Sequence, residues 1–376
     1  MTVEPSACHS PLGPSTGQTS TTRCAEFTNI IKGGAALNLA ASAVRRPSDG
    51  DKYRFDGSYV AATTGNWVIG LGAIDRWWGP GWQSSLILSN NARPAPGVFI
   101  KRKSAEKASS PLLSWAGPWQ VELFANQLDD ERVINNPLLT GARLTIKPLS
   151  FFELSQSYLN IHGGDDGTTE SSGEAAETTE ETQRHISYDA RLHGSVKHLT
   201  WALYGQRLRN EKQTETAAQT GSLMGAEVSF SLKNTHNRIV VEVSDTTHDL
   251  SRIEEASLSA LYEHPFYAEG YRYHGRALGE AADTNAKKIS LTGSHYFANG
   301  QNLNWRVSDI DFNENGPSRN PFGETALSQK FYELSYAVPL NEVAQISGGV
   351  FYLNEDMQWR SQDISSGGFA MLELRF

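Results

Sequence analysis

The residues best equipped for chemistry lie in Asp75-Arg76-Trp77-Trp78-Gly79-Pro80-Gly81-Trp82, where three tryptophans fall within six residues beside an acid and a guanidinium. Pro80 has no backbone donor and the flanking glycines favour a turn, so the stretch forms a sharp bend, not a regular element. The apolar run Leu86-Ile87-Leu88 follows, then Asn90-Asn91-Ala92-Arg93-Pro94, which reads as a loop with many free donors and acceptors. Two chemistries fit this pattern. Flat indole faces beside amide and guanidinium groups make a platform for sugar C–H faces, with directional partners for the hydroxyls. Alternatively, the tryptophans pack a tight turn while Arg76 pairs with Asp75 or another acid.

Gly270-Tyr271-Arg272-Tyr273-His274-Gly275-Arg276 repeats the theme of arginine beside aromatic rings at a glycine-marked bend. Guanidinium forks bind carboxylates bidentately, so Arg76, Arg93, Arg272 and Arg276 suit either an acidic sugar or internal acids. The two segments are expected to lie close together on the lumen side or rim of the fold and jointly to fix the loops that occlude it. Catalytic spacing is missing. His264 and His274 have Glu263, Glu269 and Glu280 nearby but form no HExxH pattern. Ser84-Ser85 is not a G-x-S-x-G elbow, and Gly70-Leu71-Gly72 lacks the strand-to-helix setting of a phosphate loop. No catalytic residue, metal or cofactor is therefore expected.

The elements that must position these segments are strands. Leu199, Trp201 and Leu203 share one face, as do Ile239, Val241 and Val243, and Tyr332, Leu334, Tyr336 and Val338. Leu37 and Leu39, Tyr53 through Tyr59, Trp119 through Leu123 and Ile289 through Phe297 alternate likewise. Such dyads, separated by Asn, Gly, Asp and Pro clusters, read as a transmembrane barrel. No run approaches the roughly 18–20 apolar residues of a membrane helix. In 376 residues the 33 glycines and 10% aromatic content suit hairpins with aromatic girdles, and the formal charge of −9 argues against a nucleic-acid partner. Only two cysteines occur, Cys8 and Cys24, too few for a disulfide framework. At the C-terminus Ala370, Leu372 and Leu374 are in phase with Phe376, opposite Glu373 and Arg375. This is the register of a closing strand that the barrel-insertion machinery would read.

The segment DRWWGPGWQSSLILSNNARP, with Gly270–Arg276 followed by Asp283 and Ala286, resembles the Wzi family of capsule surface-attachment proteins. The likeness is legible from about residue 33 to Phe376. It implies an all-β, antiparallel, up-and-down transmembrane barrel of roughly 14–18 strands in the Gram-negative outer membrane. It further implies a non-enzymatic, lectin-like protein that retains capsular polysaccharide or exopolysaccharide, with outer-membrane lipids around it. On that reading Asp75, Arg76, Trp77, Trp78, Trp82, Asn90, Asn91, Arg93, Tyr271, Arg272 and Arg276 bind carbohydrate or brace the loops that occlude the lumen. The alternatives are a diffusion porin and, behind it, an outer-membrane lipid hydrolase with His and Ser on neighbouring strands.

Two stretches stand apart. Residues 1–32 are rich in Ser, Thr, Pro and Gly, read as irregular, and show no signal peptide. The signal and helical region that the family carries there are not legible, so a truncated or mis-started frame, doubtful export and a barrel short of strands on its N-terminal side are expected. Residues 163–183 form an acidic low-complexity loop that suits the extracellular side.

Overall fold

The computed structural model describes residues 22–31, 34–45, 49–107, 110–165, 182–211, 219–247, 260–314, 316, 318, 320–359 and 362–374. Cys8, Arg375, Phe376 and acidic-loop residues 166–181 lie outside the described residues. The first half of the wall contains β1 (Thr22–Ile31), β2 (Ala35–Val44), β3 (Tyr53–Arg54), β4 (Tyr59–Thr64), β5 (Trp67–Gly72), β6 (Gly97–Arg102) and β7 (Glu106–Lys107). It continues with β8 (Pro118–Gln127), β9 (Leu138–Leu149), β10 (Phe152–His162), β11 (Thr182–Val196) and β12 (Leu199–Glu211). Next come β13 (Thr220–Leu232), β14 (Thr235–Asp245), the small hairpin β15 (Arg272–Tyr273) and β16 (Arg276–Ala277), and then β17 (Ala286–Phe297). The wall ends with β18 (Asn302–Phe312), β19 (Leu327–Asn341), β20 (Ala344–Trp359) and β21 (Gln362–Leu374).

Among the described residues nineteen strands share one sheet, and its ladders are antiparallel. The two-residue β3 runs along β2 beside β4, and β7 runs along β8 beside β6, so each pair makes one crossing of the wall. The crossings thus stay within the expected range. Among the described residues no ladder joins β1 to β21, and the barrel is not closed.

The sheet is inside-out relative to a soluble sandwich. Register sets Val241, Leu291, Val307, Tyr332 and Tyr352 side by side on five successive strands, and all are exposed. One residue along, Glu242, Ser290 and Ser308 line the buried inner face. Apolar outside and polar inside is the pattern of a wall bathed in lipid. The connections sort by end as well. Two-residue turns follow β9, β11 and β13, and Lys197 and Lys233 adopt the positive φ that tight hairpins require. The opposite end carries the long connections, including 73–96, 246–285 and 313–326. Placing arginine at Leu291, in the middle of that apolar belt, should cost about 2–4 kcal/mol of folding into bilayers. Urea titration of the vesicle-inserted barrel measures it.

Three boundaries differ from the sequence reading. β1 occupies Thr22–Ile31, inside the stretch read as irregular, because β2 offers it a full ten-pair ladder that local composition does not reveal. The acidic loop ends sooner than expected, since Thr182 and Gln183 open β11 and are buried. The alternation from Tyr53 to Tyr59 is no single strand. The chain leaves the sheet after Arg54, and Gly57 takes φ 89° while Ser58 Oγ bonds both the N–H and the carbonyl of Ala40.

Candidate functional site

The long connections 73–96 and 260–285 do not project from the barrel; they fold into its lumen. Their backbones have no ladder of their own, so wall side chains supply the partners that buried peptide groups need. On the β8 wall, Arg76 Nε donates to Glu122 Oε1 at 2.9 Å and Trp78 Nε1 to Glu122 Oε2 at 3.3 Å. The Arg76 guanidinium lies 4.4 Å from the centre of the Phe124 ring, against which the buried Trp78 also packs. The salt-bridge partner of Arg76 is thus Glu122, forty-six residues away, while the adjacent Asp75 is exposed.

The Gly-Pro-Gly bend reaches toward the short-turn half of the lumen. A Cβ on Gly81 would sit 2.4 Å from the Ser84 carbonyl oxygen, so only glycine fits there. Glu242 of β14 accepts the backbone N–H groups of Trp82 and Gln83 and the Tyr204 hydroxyl. Arg238 stacks 4.0 Å over the Trp82 ring, whose Nε1 donates to Glu227 at 2.8 Å. Trp77 donates to the Gly81 carbonyl at 2.9 Å. The three tryptophans therefore divide: Trp78 is core, whereas Trp77 and Trp82 stay 36% and 44% exposed. Beyond the bend, Gln206 of β12 accepts from Leu86 N and donates to the Trp78 carbonyl.

The second segment is tied to the first at four stations between Leu86 and Asn91. Tyr262 donates to the Leu86 carbonyl and Tyr271 to that of Ile87, both at 2.6 Å. Ser89 N donates to the Leu278 carbonyl at 2.8 Å, and Asn91 Nδ2 to that of Ala277 at 2.9 Å. Asn90, next to it, is exposed. Burial pushes the Tyr262 and Tyr271 hydroxyls well above the ordinary phenol range, so both stay neutral and keep their protons to donate, while Tyr262 also accepts from Glu280 N at 3.0 Å. Arg272 grips Asp283 with both fork positions, at 2.8 and 2.6 Å, inside the same segment. Arg132 holds the hairpin from outside, donating to the Gly270 and Arg272 carbonyls.

Arg93 is committed to a third set of acids, Asp56, Asp51 and Asp49, and Arg54 also binds Asp49. Burial opposes the Asp49 carboxylate, but Arg54 and then Arg93 outweigh it and hold its pKa below the usual range. A depressed folded pKa adds stability that is present above the unfolded value and disappears as pH falls through the folded one. A spin label at Lys52 should accordingly keep constant mobility from neutral pH down to the ordinary carboxylate range and loosen only below it.

The structure thus brings Asp75–Pro94 and Gly270–Arg276 together, but Arg76, Arg93 and Arg272 each pair with acids on different elements. Arg276 stands apart from these pairs, half-buried along an open cleft near β17 and β18. The sequence reading missed the wall residues that accept the segments, Glu122, Gln206 and Glu242 among them. Their signal was a polar residue in the inward register of an apolar-alternating strand, as Glu122 is between Val121 and Leu123. Ser231 Oγ and His236 Nδ1 are 3.4 Å apart across the tight turn between β13 and β14. Both groups are exposed to water there.

A family model described as capsule assembly protein Wzi matches residues 15–358. The match begins upstream of residue 33, where the likeness first becomes legible by eye, and takes in β1. An uncharacterized 55.8 kDa protein from the cps region of Klebsiella pneumoniae is 31% identical over 120 residues, 32% of this chain and 24% of that protein. The aligned stretch therefore spans about a quarter of the relative's length. Among solved structures, the Wzi outer-membrane protein of Escherichia coli superposes with a TM-score of 0.80 at 21% identity, over 94% of this chain and 78% of the other. It is described as a carbohydrate-binding β-barrel involved in group 1 capsule assembly. OccK2 (OpdF) of Pseudomonas aeruginosa gives 0.52 at 10% identity, over 94% and 91%. These superpositions share the barrel fold, and with the family match over most of its length they settle the classification: this chain belongs to the Wzi family of capsule assembly proteins.

Proposed function

We propose that the protein is a non-enzymatic, lectin-like barrel of the outer membrane that retains capsular polysaccharide or a related exopolysaccharide at the cell surface. Its family and the carbohydrate binding ascribed to the Escherichia coli Wzi barrel support this reading. The observation that carries it beyond a generic barrel is the filled lumen. Two connections cross the interior, and each is hydrogen-bonded to the wall and to the other. A diffusion porin needs an aqueous path, and these segments stand in it. A hydrolase needs a nucleophile activated by a base in a water-controlled site, and the exposed Ser231–His236 contact is long and open.

Trp77, Trp82, Asn90, Asn91 and Arg276 remain candidates for carbohydrate contact on this reading, whereas Arg76, Trp78, Arg93, Tyr271 and Arg272 brace the lumen. The partners are the polysaccharide, the lipids around the apolar belt and the insertion machinery at the C-terminal strand. The decisive experiment expresses the chain behind a functional signal peptide in capsule-producing cells that lack their own attachment protein. Restored cell-bound capsule, with no stepwise conductance from the purified barrel in planar bilayers, is the expected result. Released capsule together with steady conductance would overturn the reading in favour of a porin.

A further inference from the structure

The inner face of the wall changes character between β18 and β19. Along the inward row that begins with Glu242, Ser290 and Ser308, the next two strands present Phe331 and Leu353. A second apolar cluster forms here, inside the barrel, with Phe312, Phe331 and Met357 among its members and Phe322 contributed by connection 313–326. The 260–285 segment meets it through Ala282, which is a buried member of the cluster. A cleft of roughly 860 Å³, counting space open to solvent, runs between residues 276–283 of that segment and the inner faces of β17–β20.

Polar groups with unused capacity converge on the same cleft. Gln329 is fully buried, and its Nε2 donates to Asn354 at 3.0 Å while its Oε1 has no partner. Arg306 donates from Nη1 to Gln83 and from Nη2 to Glu333, and its guanidinium lies 4.7 Å from the Phe331 ring centre. Its buried Nε–H is unpaired. The Ser290 and Ser308 hydroxyls bond each other at 2.8 Å. One proton satisfies that contact, so the second hydroxyl retains its own to donate.

An orphaned buried acceptor or donor costs about 1–3 kcal/mol, which is recovered only if something enters and pairs with it. An acyl chain would cover the phenylalanines and leave Gln329 Oε1 and Arg306 Nε unpaired. A multiply charged anion would meet Glu333 beside Arg306. A hydroxylated ring with one apolar face fits both halves, its C–H face on Phe322 or Phe331 and its hydroxyls toward Gln329, Arg306 and the serine pair.

We infer that this cleft is a saccharide subsite that accepts one pyranose residue of the glycan, a chain end or a side branch, entering from the long-connection end. The assignment rests on the lectin reading above and adds a subsite separate from the tryptophan bend. The test uses the full barrel in detergent and fluorescent oligosaccharides from partly hydrolysed Klebsiella capsular polysaccharide. Gln329→Leu removes the orphan acceptor at similar volume, and Phe322→Ala removes a ring on a connection outside the wall, where folding is safe. Each should weaken binding about tenfold, with the heat-dependent gel shift of the folded barrel unchanged. Wild-type binding that both variants match within about twofold would overturn the subsite and leave the lectin reading intact. Failure of the wild type to bind any of the oligosaccharides would overturn both.

Discussion

Replacing Arg272 with alanine is expected to release the 260–285 segment from the lumen while leaving the barrel wall folded. The guanidinium and the Asp283 carboxylate are both buried, and the pair makes two parallel hydrogen bonds. Removing one member leaves an uncompensated charge, which costs about 3–5 kcal/mol. The same side chain also donates to the Glu269 carbonyl, so the backbone at the start of the hairpin loses a partner as well. The wall is held by ladders that do not involve Arg272. Trypsin should then cleave within the segment at Arg276, while the gel shift of the folded barrel persists. The double variant Arg272→Met, Asp283→Leu should regain much of the protection, because it leaves no charge stranded. Equal protease resistance in the single variant and the wild type would show that the ion pair is not the brace.

Glu242→Ala should have the second large effect, acting on the other segment. This carboxylate takes up three donors at once, two backbone N–H groups of the tryptophan bend and the Tyr204 hydroxyl. Each donor left buried without a partner costs on the order of 1–3 kcal/mol. The bend has no ladder to fall back on, so the loss should detach it from the β12–β14 wall. Two measurements follow. Acrylamide should quench the Trp77 and Trp82 fluorescence more strongly, and planar bilayers should record openings that the wild type lacks. Glu242→Gln keeps one acceptor oxygen and should give a smaller version of both changes. Unaltered quenching together with silent bilayers would show that the bend is held by other contacts.

The legibility of this chain divides along a physical line. Alternation at period two is a local property, so Trp201 with Leu203, and Tyr332 with Leu334 and Tyr336, announced outward faces without any knowledge of their neighbours. Those residues are exposed on the outer face of the wall. The Gly-Pro-Gly bend was equally local, since proline and glycine limit the backbone wherever they occur. Long-range pairing is different. Nothing near Arg76 indicates that its salt-bridge partner is Glu122, because the choice depends on which strand stands opposite the bend. Strand β1 was unreadable for the same reason, its ladder being supplied by β2.

By itself, then, the sequence determined a transmembrane wall of antiparallel strands, the position of two conspicuous arginine-and-aromatic segments, and the family they mark. These follow from side-chain period, turn chemistry and unusual local composition, all of which act over a few residues. Only the tertiary structure decided what the segments do. It turned Trp78, Tyr262 and Tyr271 inward as packing, left Trp77 and Trp82 exposed, and assigned separate acids to Arg76, Arg93 and Arg272. It also opened a cleft lined by Phe331, Arg306 and Gln329 that no motif announced. The reason is that a buried polar group must find its partner within about 3 Å, and which partner lies there is set by strand order across the whole barrel.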